Sequence, residues 1–178
     1  MVVFDVGNTD TVVGFFREDQ LHEKFRVRSL KSENSVFFEY RILNFMLENS
    51  IDKKYLRKAV ISSVVPQLTP FFQNFCRKFL GLEPVIVQPA LSTLLKISID
   101  SPEELGSDLF LNALACFRKY GGNCVVVDFG TALTFTVVSG SGEIKGVCIV
   151  PGLKTAVKSL SSETSLLPKV LLQKPASV

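Results

Sequence analysis

The sequence predicts an α/β protein made of two similar lobes, each a mixed sheet with flanking helices, of which the second is incomplete. Short apolar runs rich in Val, Ile and Phe alternate with segments whose apolar residues recur at helical spacing, which is typical of α/β folds. The pattern strand, Asp-x-Gly, strand, turn, strand occurs between Val2 and Val27 and again between Cys124 and Val150. After Pro151 the chain is long enough for about one more helix, so the second copy lacks the later elements of the first.

Strands are predicted where short apolar runs are bounded by Gly, Pro, Asn or Asp. In the first half of the chain these runs are Val2–Val6, Thr11–Phe16, Leu21–Val27, Ala59–Val65 and Pro84–Val87. In the second half they are Cys124–Val127, Leu133–Val138 and the run that follows the turn Ser139–Gly142 and ends at Val150. Leu21–Val27 alternates apolar and polar residues and is expected to pair antiparallel, whereas Cys124–Val127 is expected to be buried.

Two amphipathic helices are predicted in the first half from apolar residues at helical spacing. The first carries Val36, Tyr40, Leu43 and Leu47, with Ser32, Asn34 and Ser35 as candidate caps. The second carries Leu68, Phe72, Phe75 and Phe79 and ends at Gly81. We interpret the Phe side chains of this second helix as core residues.

A third helix is predicted to begin at Ser101-Pro102-Glu103-Glu104 and to run to Tyr120. Ser before a first-turn Pro, followed by Glu at the third helical position, forms a capping box. The chain is divided at this point into a first lobe, residues 1–100, and a linking helix with the truncated second lobe, residues 101–178.

Composition and charge disfavour several functions. The 178 residues are 47% hydrophobic and carry a formal net charge of +3, which is too small and too evenly spread for a nucleic-acid or membrane surface. His22 is the one histidine of the sequence and lies among polar residues, so we expect it at the surface and disfavour histidine-dependent nucleophilic catalysis.

The cysteines and the start of the chain indicate a cytoplasmic protein. Cys76, Cys116, Cys124 and Cys148 form no C-x-x-C pair, so buried, reduced thiols are expected rather than a zinc or redox site. The first residues lack the basic segment of a signal peptide, and no apolar run reaches the length that spans a membrane.

Each copy of the repeated pattern carries an Asp-x-Gly turn at the end of a strand, with Asp5 in the first and Asp128 in the second. Such a turn combines a carboxylate with backbone N–H groups and hydroxyls, so it can hold a phosphate and a cation together. The candidate hydrogen-bond donors are Asn8, Thr9, Thr11 and Thr131. One Asp-x-Gly is weak evidence, because both residues are common in turns, but its repetition favours an ATP site between the two lobes.

Five segments match, in order, the motifs of one enzyme family. They are Asp5–Val12, Ile61–Pro66, Glu104–Asp108, Asp128–Ala132 and Pro151–Leu153. Over nearly its whole length the chain resembles the type III pantothenate kinases, which are similar to the Bvg accessory factor group. The resemblance implies duplicated ribonuclease H-like lobes, as in the actin-like ATPases of the acetate-and-sugar-kinase, heat-shock ATPase and actin superfamily.

The resemblance also implies a reaction: transfer of the γ-phosphoryl group of ATP to the primary hydroxyl of pantothenate, giving 4'-phosphopantothenate in the first step of coenzyme A biosynthesis. Asp108 is the implied general base. Asp5 and Asp128 are the implied ligands of Mg²⁺, and the family also uses K⁺ or NH₄⁺. The implied ATP and phosphate contacts are Asp5, Val6, Gly7, Asn8, Thr9, Asp10, Thr11, Val12, Gly130 and Thr131. The implied substrate contacts are Ile99, Gly106, Ser107, Asp108 and Leu109. A homodimer is expected, because the family pairs through its second lobe and an incomplete lobe exposes apolar faces.

Two departures from the family pattern leave a second hypothesis open. Leu109 occupies the position of an arginine that binds the substrate's carboxylate end, and Ile99 that of a pocket tyrosine. A catalytically impaired nucleotide-binding or regulatory homologue is therefore the alternative. Gly106 within the predicted helix suggests close approach of a ligand or of another chain. A ribonuclease H-like nuclease is disfavoured, because a two-metal site needs several acids within reach of the metals.

Overall fold

The computed structural model describes residues 1–29 and 35–163 and contains two compact units. The first unit comprises Met1–Ser92 with Ser101–Leu111, and the second comprises Thr93–Asp100 with the chain from Asn112 onward. The sequence interpretation draws one boundary, after residue 100, whereas the chain passes between these units three times.

The first unit is built on a five-stranded mixed sheet with strand order β3-β2-β1-β4-β5. Its strands are β1 (Val2–Val6), β2 (Asp10–Arg17), β3 (Gln20–Arg28), β4 (Ala59–Ser63) and β5 (Val85–Ile86). β1, β2 and β3 pair antiparallel, as expected for Leu21–Val27, and β4 pairs parallel to both β1 and β5. All five strands predicted for this part of the chain are confirmed.

Two helices cover one face of this sheet. They are α1 (Ser35–Glu48) and α2 (Thr69–Phe75), and a π-helical turn, Cys76–Leu80, continues α2 to Gly81. Gly81 ends this segment with φ 67°, a left-handed conformation that glycine adopts readily. The Phe stripe of α2 is core as predicted: the ring of Phe72 lies 5.3 Å from that of Phe4 on β1, and both side chains are fully buried. Burial of each such side chain contributes about 1.5–3 kcal/mol.

The helix α1 forms where predicted, but it buries a different face. The predicted stripe is exposed, with Val36 61%, Tyr40 63% and Leu47 80% accessible. The buried residues are instead Phe38, Ile42 and Met46, which also recur at helical spacing. Both faces of the helix are apolar, and the face that carries Phe38 packs against the Phe-rich core. Of the candidate caps, Ser32 and Asn34 lie outside the described residues.

The second unit contains a four-stranded sheet with order β6-β9-β8-β7. Its strands are β6 (Lys96–Ile97), β7 (Cys124–Phe129), β8 (Ala132–Val138) and β9 (Glu143–Pro151). β7, β8 and β9, the three strands predicted here, pair antiparallel, and α4 (Leu153–Glu163) follows them. The two-residue strand β6, which pairs parallel to β9, is too short for a pattern in sequence to reveal.

The prediction that the strand starting at Cys124 is buried is wrong for the described structure. Val125 is 57%, Val127 43% and Phe129 73% exposed. Their counterparts in the first unit, on β1, are covered by α1 and α2. The described part of the second unit contains no counterparts of β4 and α2, so this apolar face stays accessible.

Glu143 joins β6 to β9. Its carboxylate contacts the ammonium groups of Lys96 at 2.6 Å and Lys145 at 2.5 Å, and it accepts a 2.6 Å hydrogen bond from the hydroxyl of Ser98. Hydrogen bonds from Lys145, Lys96 and Ser98 lower the pKa of Glu143 to about 2.

The third predicted helix begins six residues later than expected. Pro102–Glu104 forms a single 3₁₀ turn and Ser101 makes no side-chain capping bond, so the predicted capping box is wrong. The chain then becomes extended at Leu105, with φ −66° and ψ 116°, which buries that side chain. The helix α3 runs from Ser107 to Tyr120 and ends at Gly121, as predicted.

The histidine lies where the sequence predicts it, whereas of the four cysteines only Cys76 is buried. All four thiols are free. Burial raises the pKa of Cys76 to about 12, whereas Cys148 is exposed, contrary to the expectation of buried thiols. His22 is exposed on β3. Within the described ranges, no helix is both long and apolar enough to cross a membrane.

Candidate active site

Each of the two Asp-x-Gly turns contains a backbone hydrogen bond donated by its glycine. The N–H of Gly7 donates to the carbonyl of Asp10 at 3.1 Å, and that of Gly130 donates to the carbonyl of Ala132 at 2.9 Å. The second turn is one residue shorter, since Asp5 pairs with Val12 whereas Asp128 pairs with Thr134. The duplication predicted from sequence is therefore present in the hydrogen bonding of the turns.

The first turn exposes some of its predicted phosphate contacts and buries others. Asp5, Asn8 and Thr9 are exposed. Thr11 is completely buried and its hydroxyl lies 2.8 Å from that of Ser29, so the side chain expected to donate to a phosphate belongs to the core. Alternation along β2 explains this, because Thr11 lies on the same face as the core residues of that strand.

Three other residues of this turn that were predicted to contact phosphate are ion-paired, buried or half-buried. The carboxylate of Asp10 pairs with Arg26 at 3.1 Å. Val6 is buried and Val12 half-buried, so the side chain of Val6 belongs to the core. The exposed polar side chains of the turn are thus those of Asp5, Asn8 and Thr9.

The second turn is tied to the loop after β9. The carbonyl of Thr131 accepts hydrogen bonds from the hydroxyl of Thr155 at 2.8 Å and from the N–H of Gly152 at 3.0 Å. A Cβ at Gly152 would lie 2.2 Å from the carbonyl oxygen of Gly130, so glycine is required there. This contact places Pro151–Leu153 beside Asp128–Ala132, two of the segments that resemble family motifs.

Asp128 is exposed at the end of β7 and accepts a 3.2 Å hydrogen bond from the side-chain amide of Asn112. Asn112 is not among the site residues predicted from the sequence. The two residues are sixteen positions apart, on a helix and a strand, and no local spacing rule connects them. Among the described residues, no three His, Cys, Asp or Glu side chains form a cluster that could hold a metal ion.

Asp108 lies in the first turn of α3, where its Oδ1 accepts the N–H of Leu109 at 2.7 Å. A Cβ added to Gly106 would lie 2.5 Å from the same oxygen. The sequence suggested close approach of a ligand or another chain at Gly106, whereas the group that approaches this position in the structure is the carboxylate of Asp108. The Leu109 side chain is buried, so this position presents its backbone N–H to Asp108.

A buried pair of hydroxyls lies beside Asp108. The Oγ atoms of Ser62 and Ser107 are 2.9 Å apart, and the two residues are 2% and 4% exposed. Ser62 is the parallel-sheet partner of Asp5. The first unit thus places Asp5 and Asp108, two of the predicted site residues, on either side of this serine pair.

A cavity of about 560 Å³ lies within the first unit, and Ser107 is one of its lining residues. Its walls are the end of β4, the segment Val87–Leu91 and the segment Glu103–Ser107. It falls in the size range of small-molecule sites. The predicted substrate residues Gly106 and Ser107 line it, whereas Ile99 belongs to the second unit. The charged side chains of the lining are those of Glu103 and Glu104.

Comparison with known proteins identifies the family. The sequence profile described as type III pantothenate kinase matches residues 1–178. The chain belongs to the type III pantothenate kinase family. A type III pantothenate kinase of Syntrophus aciditrophicus (strain SB) is 40% identical over 98% of the chain, and one of Koribacter versatilis (strain Ellin345) is 35% identical over all of it. The chain spans 69% of the length of each of these pantothenate kinases.

Among solved structures, the fold resembles that of a protein from Sinorhizobium meliloti described as a 2-dehydro-3-deoxygalactonokinase. The TM-score is 0.58, with 93% of this chain and 57% of that chain covered. At 13% identity the likeness concerns the fold alone. The likeness confirms the fold class predicted for this chain, an α/β protein with mixed sheets and flanking helices.

Proposed function

We propose that this protein transfers the γ-phosphoryl group of ATP to the primary hydroxyl of pantothenate, the first step of coenzyme A biosynthesis. The observation that carries the proposal is the family match over residues 1–178. The site supports it, because Gly106 and Ser107, the two residues before Asp108, line a cavity large enough for a small acceptor.

Asp108 acts as the general base. Its Oδ1 is held by the N–H of Leu109, which leaves Oδ2 to accept the proton of the attacking hydroxyl. The hydroxyl oxygen forms a bond to the γ-phosphorus while the bond from that phosphorus to the leaving oxygen of ADP breaks. Gly106 and Ser107, which line the cavity, contact the acceptor through their backbones, since the Ser107 hydroxyl is buried against that of Ser62, and Leu109 contributes through its backbone.

The phosphates of ATP are bound by the two Asp-x-Gly turns. Asn8 and Thr9 donate from the first turn, and Gly130 and Thr131 contribute from the second. Each turn carries an exposed carboxylate at a strand end, Asp5 in the first and Asp128 in the second. Carboxylate oxygens are ligands of the kind that Mg²⁺ takes, since this ion binds through one or two carboxylates and keeps several waters. When bound, Mg²⁺ and a monovalent cation, K⁺ or NH₄⁺, neutralise phosphate charge.

A second copy of the chain is the proposed partner, and the cytoplasm is the proposed compartment. The exposed apolar face of β7 supports dimer formation, because large exposed apolar patches mark interaction sites. Four free thiols are typical of a reducing compartment.

The alternative, a nucleotide-binding homologue without catalysis, is favoured by one observation. Pantothenate is an anion, yet the charged side chains that line the cavity are the carboxylates of Glu103 and Glu104. Titration calorimetry with ATP, combined with an assay of pantothenate-dependent ADP release, separates the two functions.

Asp108→Asn provides the sharper test. The variant keeps the shape of the side chain but removes its capacity to accept a proton, so kcat is expected to fall by about 10²–10⁴-fold. ATP affinity in calorimetry is expected to stay unchanged. Equal turnover of wild type and variant would refute Asp108 as the base. ATP binding without turnover in the wild type would establish the non-catalytic alternative.

A further inference from the structure

The pair Ser62 and Ser107 joins two elements that are far apart in sequence. Its Oγ atoms are 2.9 Å apart across a sequence separation of 45 residues, and both residues are excluded from solvent. A buried hydroxyl without a partner is unfavourable, so each hydroxyl holds the other in place. The pair therefore fixes the first residue of α3 against the fourth of the five residues of β4.

The start of α3 has few other polar anchors. The turn that precedes it, Pro102–Glu104, makes no side-chain capping bond, and Gly106 has no side chain with which to hold the backbone. Leu105 and Phe110 are buried and keep the helix on the sheet, but apolar contacts are not directional. The hydroxyl pair supplies a directional contact one residue before Asp108.

Ser62 also has a defined relation to the first Asp-x-Gly turn. It is the parallel partner of Asp5, and partners in a parallel pair project from the same face of the sheet. One compact unit contains all four residues that this series of contacts connects: Asp5, Ser62, Ser107 and Asp108. A shift at the serine pair would therefore move Asp108 relative to Asp5.

We propose that Ser62 is a positioning residue, which acts through Ser107 to set the place of Asp108 relative to Asp5. This inference rests on the proposed phosphoryl transfer, in which Asp108 meets the acceptor. Catalysis is sensitive to such placement, because a misplacement of about 1 Å can reduce the rate about 100-fold.

The test uses Ser62→Ala, Ser107→Ala and the double variant, measured for kcat, for KM of ATP and for melting temperature. Each single variant leaves one hydroxyl buried without a partner and is expected to melt at a lower temperature. The double variant has no unpaired hydroxyl, so its melting temperature is expected to return close to that of the wild type. Its kcat is nevertheless expected to stay about 10–100-fold low, with KM for ATP unchanged.

The matched control is Thr69→Ala. Thr69 donates a 2.7 Å hydrogen bond to the hydroxyl of Ser63, the residue after Ser62, but it belongs to α2 rather than α3. Its kcat is expected to equal that of the wild type. A double serine variant that regains both stability and kcat would show a merely structural pair and overturn the inference alone. A wild type without pantothenate-dependent turnover would instead overturn the proposed function, and the inference with it.

Discussion

At the scale of single residues, Gly106 is the position where the smallest change is expected to have the largest effect on activity. A methyl group there would lie 2.5 Å from Oδ1 of Asp108, so the carboxylate must move. The displaced atom is the end of a side chain, which can rotate at little cost. Gly106→Ala is therefore expected to reduce kcat about 10²-fold while the melting temperature changes by no more than a few degrees.

Gly146→Ala is the control for Gly106→Ala. Gly146 lies in β9 with no atom within 4 Å of an added Cβ. Steady-state kinetics and thermal melting of both variants make the comparison. Full activity in Gly106→Ala would show that the place of the Asp108 carboxylate does not matter to the reaction.

The types and order of the residues predicted which turns are candidate phosphate-binding turns. They did not predict which side chains of those turns are accessible. Thr11 and Thr9 are both threonines of the first turn, yet Thr11 is buried and pairs with Ser29 while Thr9 is exposed. The difference depends on the exact residue at which β2 begins. Thr9 lies before the strand, which starts at Asp10, whereas Thr11 lies within it on the core-facing side, where alternate residues are buried.

At the scale of elements, α1 shows that spacing alone does not identify the buried face. Phe38→Ala removes a ring that is 1% exposed, so the free energy of unfolding is expected to fall by about 3–5 kcal/mol. Leu47→Ala, at a residue of the predicted stripe that is 80% exposed, is expected to change it by less than about 0.5 kcal/mol. Urea unfolding measures both values, and the reverse order would show that the helix packs through the predicted stripe.

The contacts of Glu143 with Lys96, Lys145 and Ser98 make the stability of the second unit depend on pH. Hydrogen bonds from Lys145, Lys96 and Ser98 lower the folded-state pKa of Glu143 from 4.5 to about 2. The unfolded state therefore binds a proton first, and the stabilisation is complete above about pH 4.5 and is lost as the pH falls towards 2.

Glu143→Gln cannot ionise and is expected to lose less stability than the wild type between pH 5 and pH 3. The measurement is the urea midpoint of both proteins at each pH, read from a signal of the second unit. Parallel pH profiles of the two proteins would contradict a role for the Glu143 carboxylate.

At the scale of the whole molecule, self-association is the prediction to test. Val125, Val127 and Phe129 present an apolar surface on β7. Val125→Lys places a charge there without touching the core of the first unit, and is expected to weaken dimerisation at least about tenfold. Sedimentation velocity at micromolar concentration measures both proteins. A wild type that sediments as a monomer throughout would contradict the proposed dimer.

Local patterns in the sequence determined the repeated strand–turn–strand unit, eight of the nine strands among the described residues and the family motifs, because these depend on residues close together in the chain. The capping-box motif at Ser101 predicted a helix start that burial of Leu105 moved to Ser107. The partners Ser62 with Ser107 and Asn112 with Asp128 come from different elements, so only tertiary packing brings them together. The sequence by itself thus determined the elements and the candidate chemistry, whereas the tertiary structure decided which faces are buried and how Asp108 is held, because burial and hydrogen bonding between elements depend on contacts that no local pattern specifies.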